Sequence, residues 1–449
     1  MQTSAVSFRC ALLLALAGFA AAAAPAGAQH GEHMGARTGS GSSLPLGIPF
    51  ERAGSGTSWL PDSSSSPMVH QAVGDWTLML HGVGYGQYDR QGTIHGDQQL
   101  GLADWEMATA AHALGDGLLR VDAATSLEPS VLGARGYPEL LQSGGTFDGA
   151  RLANRQHPNA LVMAFAASYE HSLTSELATS VYVAAVGEPA LGPVDYMHRP
   201  SAAVDPFAPI GHHWQDATCA ANGVVTGGLY SHLVKLEGSI FNAREPLGTL
   251  YGVDYAGARL DSYAARLTVL PTGRVAASAW AGYLYDDDPL DPGLGMQRYG
   301  VSLLTETRGL DGGAWSSTMV WGIDIHHHGS REHEHDPGVA IQTRHPSSSF
   351  LIESTLDIGS AFAVYGRAEQ VEKTADDLGF LGGDLMQHFT VRSLVAGAVR
   401  DLESVGWATF GVGARASVDL VPQTLRLTYG TRTPTGFALF VRARIGNKQ

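Results

Sequence analysis

The chain has 449 residues, of which 16% are charged, and its formal net charge is −15 at pH 7. The 56 glycines and the low charge argue against an ordinary soluble α/β enzyme, and a hydrophobic fraction of 44% excludes a chain that is disordered by composition. Only three residues are lysine and no run of basic residues occurs, so a nucleic-acid partner is not expected.

Residues 1–28 have the pattern of a secretory signal peptide. Arg9 precedes an apolar stretch over 10–24, and the small residues Ala26 to Ala28 form a cleavage site. The alternative, an N-terminal membrane-spanning helix, needs a longer apolar run. Cleavage after Ala28 leaves Cys219 as the only cysteine of the mature chain, so we expect an exported protein without an internal disulfide.

Residues 29–73 are rich in serine, glycine and proline, with four consecutive serines at 63–66. This composition is typical of linkers. The sequence therefore predicts a flexible periplasmic tail over 29–73.

From residue 74 onward, apolar and polar residues alternate with a period of two. Trp315, Met319 and Trp321 fall on one face of such a segment, and Thr318 and Asp324 on the other. About sixteen segments of this kind, with a range of 12–16, are predicted as strands, most of about 10–13 residues, long enough to cross a bilayer at a tilt. They are 75–87, 100–112, 117–128, 160–172, 175–187, 220–230, 232–243, 259–269, 273–285, 297–308, 313–326, 348–358, 361–373, 387–401, 406–419 and 434–445.

The connections between these segments alternate in length. Joins such as 173–174 and 271–272 are short, whereas joins such as 129–159, 188–219 and 327–347 are long. Short periplasmic turns and long extracellular loops are typical of outer-membrane proteins. We therefore predict an all-β fold, a transmembrane antiparallel β-barrel over 74–449. A soluble β-sandwich or propeller is the alternative, but its solvent faces would need more charge.

Charged residues within the predicted strands alternate with apolar ones and are expected to face the lumen. They are Lys235, Glu237, Arg266, Glu353, Arg367, Glu369, Arg415, Arg442 and Arg444. Trp76, Trp105, Trp315, Trp321 and Trp407 are expected on the outer face near strand ends, where amphipathic rings prefer the membrane interface.

The long loop 188–219 has five prolines and three large aromatic residues, which favour an ordered conformation. We predict that it folds into the lumen as a pore constriction formed by Asp195, His198, Arg199, His212, His213 and Asp216. The histidines would make conductance depend on pH near 6.5. The same loop could instead bind a metal, or act as a hydrogen-bonded structural plug.

A second cluster of histidines suggests weak capture of a divalent metal. Its members are His326, His327, His328, His333 and His335. Their spacing is a run rather than a tetrahedral pattern, so an exposed polar loop is the alternative. Otherwise we expect no cofactor.

Several short motifs together resemble a family of uncharacterised exported proteins of Gram-negative bacteria. They are 56–62 (GTSWLPD), 126–129 (SLEP), 155–158 (RQHP), 187–193 (GEPALGP), 197–200 (MHRP) and 242–246 (NAREP). The resemblance implies outer-membrane localisation and carries no activity. It also implies Thr-His shortly after 211–216, where this chain has Thr218-Cys219.

These observations predict a non-enzymatic, porin-like channel for small polar solutes or ions in the outer membrane. A metal-capturing protein that uses histidine-rich loops is the main alternative, and a barrel esterase a further one. Expected partners are outer-membrane lipid, lipopolysaccharide and the barrel-assembly machinery. The sequence leaves the oligomeric state open.

Overall fold

The computed structural model describes residues 43–64, 67–147, 150–216, 221–244, 259–285, 294–328 and 343–446. The predicted signal peptide and residues 29–42 lie outside them. The strands, in chain order, are β1 Ser43–Leu44, β2 Ile48–Pro49, β3 Val69–Val73, β4 Trp76–Gln91, β5 Gln98–Leu114, β6 Gly117–Thr125, β7 Tyr137–Phe147, β8 Ala150–Gln156, β9 Val162–Ser172, β10 Ala178–Gly187, β11 Ala221–Tyr230, β12 Val234–Phe241, β13 Ser262–Thr272, β14 Val275–Tyr285, β15 Gly295–Arg308, β16 Ala314–His328, β17 Thr343–Ile358, β18 Phe362–Thr374, β19 His388–Val405, β20 Ala408–Leu420 and β21 Thr435–Ile445.

Within the described residues, two short α-helices, α1 Glu128–Val131 and α2 Arg426–Tyr429, lie in the connections between strands. Among the described residues, no helix is long and apolar enough to cross a membrane.

The strands β4–β6 and β9–β21 form a closed antiparallel barrel of sixteen strands. The barrel closes where β21 pairs with β4, from Gly436 opposite Gln91 to Arg444 opposite Val83. The β3 strand pairs with the first residues of β4, from Val69 opposite Leu80 to Val73 opposite Trp76, and so extends the pairing at the closure. Closure leaves no open sheet edge to lipid, which could not satisfy its backbone groups.

Each of the sixteen predicted segments corresponds to one barrel strand, so the predicted all-β barrel is confirmed. The alternation that predicted β16 is also present in the structure. Trp315, Met319 and Trp321 are exposed on its outer face, whereas Thr318 and Asp324 are buried on the inner face. Several strands extend beyond their predicted ends, and β19 reaches 18 residues.

The outer face of the barrel is apolar. Large exposed hydrophobic residues recur at every second position of the strands, as at Val181 and Val183 of β10 and at Leu439 and Val441 of β21. A closed barrel with an apolar outer face and a polar interior is the β-architecture that spans a bilayer. The protein is therefore an outer-membrane β-barrel.

Short turns and long connections lie at opposite ends of the barrel. Residues 115–116 and 273–274 join β5 to β6 and β13 to β14 at the short-turn end, where Gly115 takes the left-handed conformation with φ 58°. Residues 126–161 and 188–220 join strands at the long-loop end. The first barrel strand, β4, begins at the short-turn end, and the last, β21, ends there.

The prediction of a flexible tail is wrong for residues 43–64, here named the N-terminal segment. Ile48, Trp59 and Leu60 are almost completely buried and pack against inward-facing residues of the barrel such as Tyr230. The segment hydrogen-bonds to the short-turn end, where the Ser63 amide donates to the Gly273 carbonyl at 2.8 Å. The N-terminal segment has the average composition of a linker. Its few large apolar residues nevertheless bury enough surface to hold it in one place inside the barrel.

We predict that the replacement Val301→Arg destabilises the barrel. Val301 is half-exposed near the middle of β15, and an arginine on the lipid face near the bilayer midplane costs about 2–4 kcal/mol. The measurement is the free energy of unfolding in urea with the barrel in lipid vesicles. Leu310→Arg, in the exposed turn after β15, is the matched control and should cost at most about 1 kcal/mol. Equal effects of the two replacements would contradict the assigned outer face.

Candidate functional site

In the part of the chain that the structure describes, three segments fold into the barrel. They are the N-terminal segment, the connection over 188–216, here named the inner loop, and the hairpin of β7 and β8, here named the inner hairpin. Each carries completely buried apolar residues, such as Leu191 and Phe207 of the inner loop and Leu141 of the inner hairpin. The sequence predicted a long connection over 129–159, and the hairpin within it is a finding of the structure.

An ion pair fixes the middle of the inner loop to the barrel wall. The guanidinium of Arg199 is completely buried, and its Nε lies 2.7 Å from Oε1 of Glu353 on β17. The Arg199 Nη1 also donates to the Val194 carbonyl at 3.0 Å, and the Ser201 hydroxyl donates to Glu353 at 3.0 Å. Burying two charges is unfavourable unless each keeps several hydrogen bonds, and this arrangement supplies them.

A second set of contacts holds the next part of the inner loop. Arg367 on β18 donates to the carbonyls of Phe207 and Ala208 at 3.1 and 3.0 Å. The guanidinium of Arg415 lies 4.2 Å from the centre of the Phe207 ring, a cation–π contact. Asp205 lies between these two arginines, 3.5 Å from Arg367 and 3.3 Å from Arg415.

The end of the inner loop is bound to β15 and β17. Arg298 pairs with Asp324 at 2.7 Å and donates to the carbonyls of Asp216, at 2.7 Å, and His213. The Trp214 indole donates to the Ser347 hydroxyl at 2.7 Å. The loop is thus fixed at three points along its length.

Wall cations also hold the N-terminal segment. Lys235 donates to the Thr57 carbonyl at 2.6 Å, and Arg266 donates to the Thr57 hydroxyl at 3.0 Å. Glu237 pairs with both cations, at 3.0 and 3.1 Å. The ring of Trp59 lies 5.2 Å from the Lys235 ammonium.

The structure places the predicted lumen residues inside the barrel. Lys235, Glu237, Arg266, Glu353, Arg367, Glu369, Arg415 and Arg442 are buried, and Arg444 is partly buried beside Asp401. Of the six predicted constriction residues, Arg199, His212 and Asp216 are buried, and Asp195, His198 and His213 are partly buried.

The predicted histidine cluster after β16 is only partly described. His326 lies near the end of β16, with its backbone opposite Met296. His327 and His328 belong to the same strand, and His333 and His335 lie outside the described residues. Metal capture at this cluster stays a prediction.

The inner loop separates two cavities. The larger, here named the vestibule, has a volume of about 590 Å³, and the turn residues Gly312 and Gly359 lie on its wall at the short-turn end. The smaller, here named the inner cavity, has a volume of about 80 Å³. Trp105, Met197 and His198 line both cavities, so these three side chains form the partition between them.

The prediction for Trp105 is wrong, because its side chain faces the lumen. Its ring lies 4.4 Å from the ring of His198 and 5.2 Å from that of His81, centre to centre. Gly82, next to His81, has a φ of 155°. Sequence patterns could not predict this contact, because His81 and His198 are 117 positions apart in the chain.

Burial changes the protonation of the inner loop. It lowers the pKa of His198 to about 3, and the nearby His81 lowers it further. Burial likewise raises the pKa of Glu188 to about 8, with the charge of Asp195 as the second cause. His198 is therefore neutral between pH 5 and pH 8, which contradicts the expectation that it titrates near 6.5.

Three histidines that the sequence did not group together meet beside the inner cavity. They are His157, which follows β8, and His212 and His213 of the inner loop. Their nearest ligand nitrogens all lie within 4.8 Å of one another. Imidazole nitrogens are ligands for zinc, copper and nickel, so this cluster is a candidate metal site.

Comparisons with known proteins identify the fold. No family model matches the chain, and no curated protein sequence matches it. Among solved structures, an anion-selective porin from Comamonas acidovorans is similar, with a TM-score of 0.50 and 11% identity over 82% of this chain and 100% of the porin. OmpF of Salmonella typhi, in complex with daunomycin, matches with a TM-score of 0.48 and 10% identity over 84% of this chain and 100% of that one.

The outer-membrane channel DcaP of Acinetobacter baumannii also matches, with a TM-score of 0.42 and 10% identity over 84% of this chain and 99% of that one. At 11% identity the first comparison shows the fold alone. The chain therefore has the barrel fold of outer-membrane porins.

We predict that Arg199→Met lowers the free energy of unfolding by about 3–5 kcal/mol, because it leaves the Glu353 carboxylate buried without its cation. The double replacement Arg199→Met/Glu353→Leu should lose less than the single one. Urea unfolding followed by tryptophan fluorescence measures both. Arg392→Met, which removes an exposed hydrogen bond to Gln370, is the control and should change little. If Arg199→Met lowered the free energy of unfolding as little as Arg392→Met does, Arg199 would not hold the inner loop to the wall.

A second prediction concerns pH. Between pH 7 and pH 5 an ordinary histidine of the unfolded chain takes up a proton, whereas the buried ring of His198 does not. The unfolded state therefore binds more protons, and His198 alone should lower stability by about 2 kcal/mol over this range. His198→Gln should remove that part of the pH dependence. An unchanged slope in His198→Gln would contradict the burial of this ring.

Proposed function

We propose that the protein is a narrow outer-membrane channel for ions and small polar solutes, in which the inner loop sets the conductance. The observation that carries the proposal is the partition formed by Trp105, Met197 and His198 between the vestibule and the inner cavity. A barrel of sixteen strands is wide enough for an aqueous channel, and here folded segments occupy much of that width.

The volumes support passage of small solutes only. The vestibule, at about 590 Å³, can hold a small organic molecule. The inner cavity, at about 80 Å³, has room for a handful of water molecules. A solute larger than a few water molecules would have to displace the inner loop, which three sets of hydrogen bonds oppose.

The charges of the lumen support weak ion selectivity. Inward-facing cations are paired with carboxylates, as Arg298 is with Asp324 and Arg199 with Glu353. Opposite charges at short distance cancel much of each other's field. The channel would therefore admit ions of both signs.

In this function no residue has a catalytic role. Lipopolysaccharide and the barrel-assembly machinery are the proposed partners of the outer face. Metal capture is a second candidate, favoured by the histidines at positions 157, 212 and 213 rather than by the cluster at 326–335.

The test is single-channel recording in planar bilayers. We expect a small conductance for the full protein and a several-fold larger one after deletion of 195–216, because the deletion removes the partition. Met197→Ala should give a smaller increase, and His232→Ala, remote from the partition, none. Equal conductance of the full protein and the deletion variant, both properly folded, would remove the inner loop from the conduction path.

We further expect that His198 causes almost no change in conductance between pH 5 and pH 8. Its ring is neutral throughout this range, because burial lowers its pKa to about 3. Recording at pH 5 and pH 8 measures this directly, with His198→Gln as the reference. A step in conductance near pH 6.5 that His198→Gln abolishes would show that the ring is accessible to water.

A further inference from the structure

We propose that His157, His212 and His213 form a binding site for a divalent transition-metal ion, best matched by Zn²⁺, that joins the inner hairpin to the inner loop. The proposal does not depend on conduction, because the site is complete whether or not the barrel is open to ions.

The spacing of the three rings fits one metal ion. The ring centres of His212 and His213 are 4.0 Å apart, and those of His157 and His213 are 5.2 Å apart. Zinc–nitrogen bonds of about 2.0–2.1 Å place tetrahedral ligands about 3.3 Å from each other. The nitrogens lie within 4.8 Å of one another, so a bound ion would draw them closer by at most about 1.5 Å.

Hydrogen bonds already set the tautomer that a metal requires. The Nδ1 of His212 lies 2.8 Å from the Pro209 carbonyl, and that of His157 lies 3.0 Å from the Pro158 carbonyl. A carbonyl oxygen can only accept, so each of these nitrogens carries the proton and the Nε2 keeps its lone pair. This backbone contact is the usual support of a metal-binding histidine.

Two of the proposed ligand atoms have no other partner in the described part of the chain. The Nε2 atoms of His212 and His213 are buried and accept or donate no hydrogen bond there. A buried polar atom without a partner is unfavourable by about 1–3 kcal/mol, so two such atoms on adjacent residues favour a bound ligand.

Two glycines of the inner hairpin make room for the rings. A Cβ on Gly144 would lie 2.4 Å from the His213 Nε2, and one on Gly145 would lie 3.0 Å from the His157 Cδ2. Both glycines have positive φ values, 106° and 74°, which other residues rarely adopt. The hairpin is therefore shaped around these imidazoles.

Charged groups of both signs lie around the site. Arg298 donates to the His213 carbonyl, and its charge is offset by Asp324 at 2.7 Å. The Lys373 ammonium donates to the Ser143 hydroxyl at 2.6 Å and lies 4.6 Å from the centre of the Trp214 ring, and its charge also acts on His212 and His213. Asp216 lines the inner cavity together with His212 and His213, and its Oδ1 lies 3.6 Å from the Arg199 Nη1.

The experiment is titration of the full mature barrel, in detergent and after treatment with a chelator, with Co²⁺ as a spectroscopic probe and with Zn²⁺ in calorimetry. We expect one ion per chain and the strong visible absorption of tetrahedral cobalt. His212→Ala and His157→Ala should each weaken binding by at least about tenfold, since even the loss of a supporting contact has an effect of this size. His232→Ala is the matched control.

A variant with His333→Ala and His335→Ala separates this site from the histidine cluster predicted at 326–335. It leaves His157, His212 and His213 unaltered, so it remains informative if the variants at these three positions fail to fold, and it should bind Zn²⁺ as the unaltered protein does. Loss of binding in this variant, or unchanged binding in a folded His212→Ala protein, would overturn the proposal. These experiments measure metal binding and not conductance. Failure of the channel proposal would therefore leave the result of the metal titration unaffected.

Discussion

The structure depends on the hydrogen bonds that inward-facing cations of the barrel wall donate to backbone carbonyls of the folded-in segments. Arg298 and Arg367 bind carbonyls of the inner loop, and Lys235 binds one of the N-terminal segment. Arg266 and Arg120 do the same, at Gly192 and Gly56. An arginine has five N–H donors, and a single carboxylate partner cannot accept from all of them. The remaining N–H groups donate hydrogen bonds to backbone carbonyls of the irregular segments, which have no neighbouring strand to pair with.

This interaction explains why the lumen resembles a protein core more than a water-filled pore. Irregular backbone is tolerated at membrane depth only where protein or water satisfies its polar groups. The wall cations satisfy them on one side, and apolar residues such as Phe207 and Leu191 fill the space between. The inner loop therefore has a defined position, and the partition at Met197 and His198 is a consequence of where its anchoring carbonyls lie.

Much of the fold could be predicted because the strand period is a local property of the sequence. Alternation located all sixteen barrel strands, and loop lengths indicated which end carries the short turns. The inward charges followed from the same alternation. Trp105 was misassigned because apolar character alone does not tell a lipid-facing ring from one that packs against lumen histidines. The N-terminal segment was misassigned because serine and glycine dominate its composition, although Trp59 and Leu60 decide its position.

The histidine cluster shows a different limit, since its members meet only through the folding of two separate connections. His157 is 55 positions before His212, and no spacing rule links them. What brings them together is again the wall: Arg298 holds the backbone of His213, and Lys373 holds the inner hairpin at Ser143. Two hydrogen bonds already join the hairpin and the loop directly, from the Gln142 Nε2 to the Pro209 carbonyl at 3.2 Å and from the Ala208 amide to the Tyr137 hydroxyl at 3.1 Å. The proposed metal would add a further direct bond between them. Its contribution to stability would come from the relative placement of loop and hairpin, which no pair of strands controls, and the barrel itself would remain closed without it.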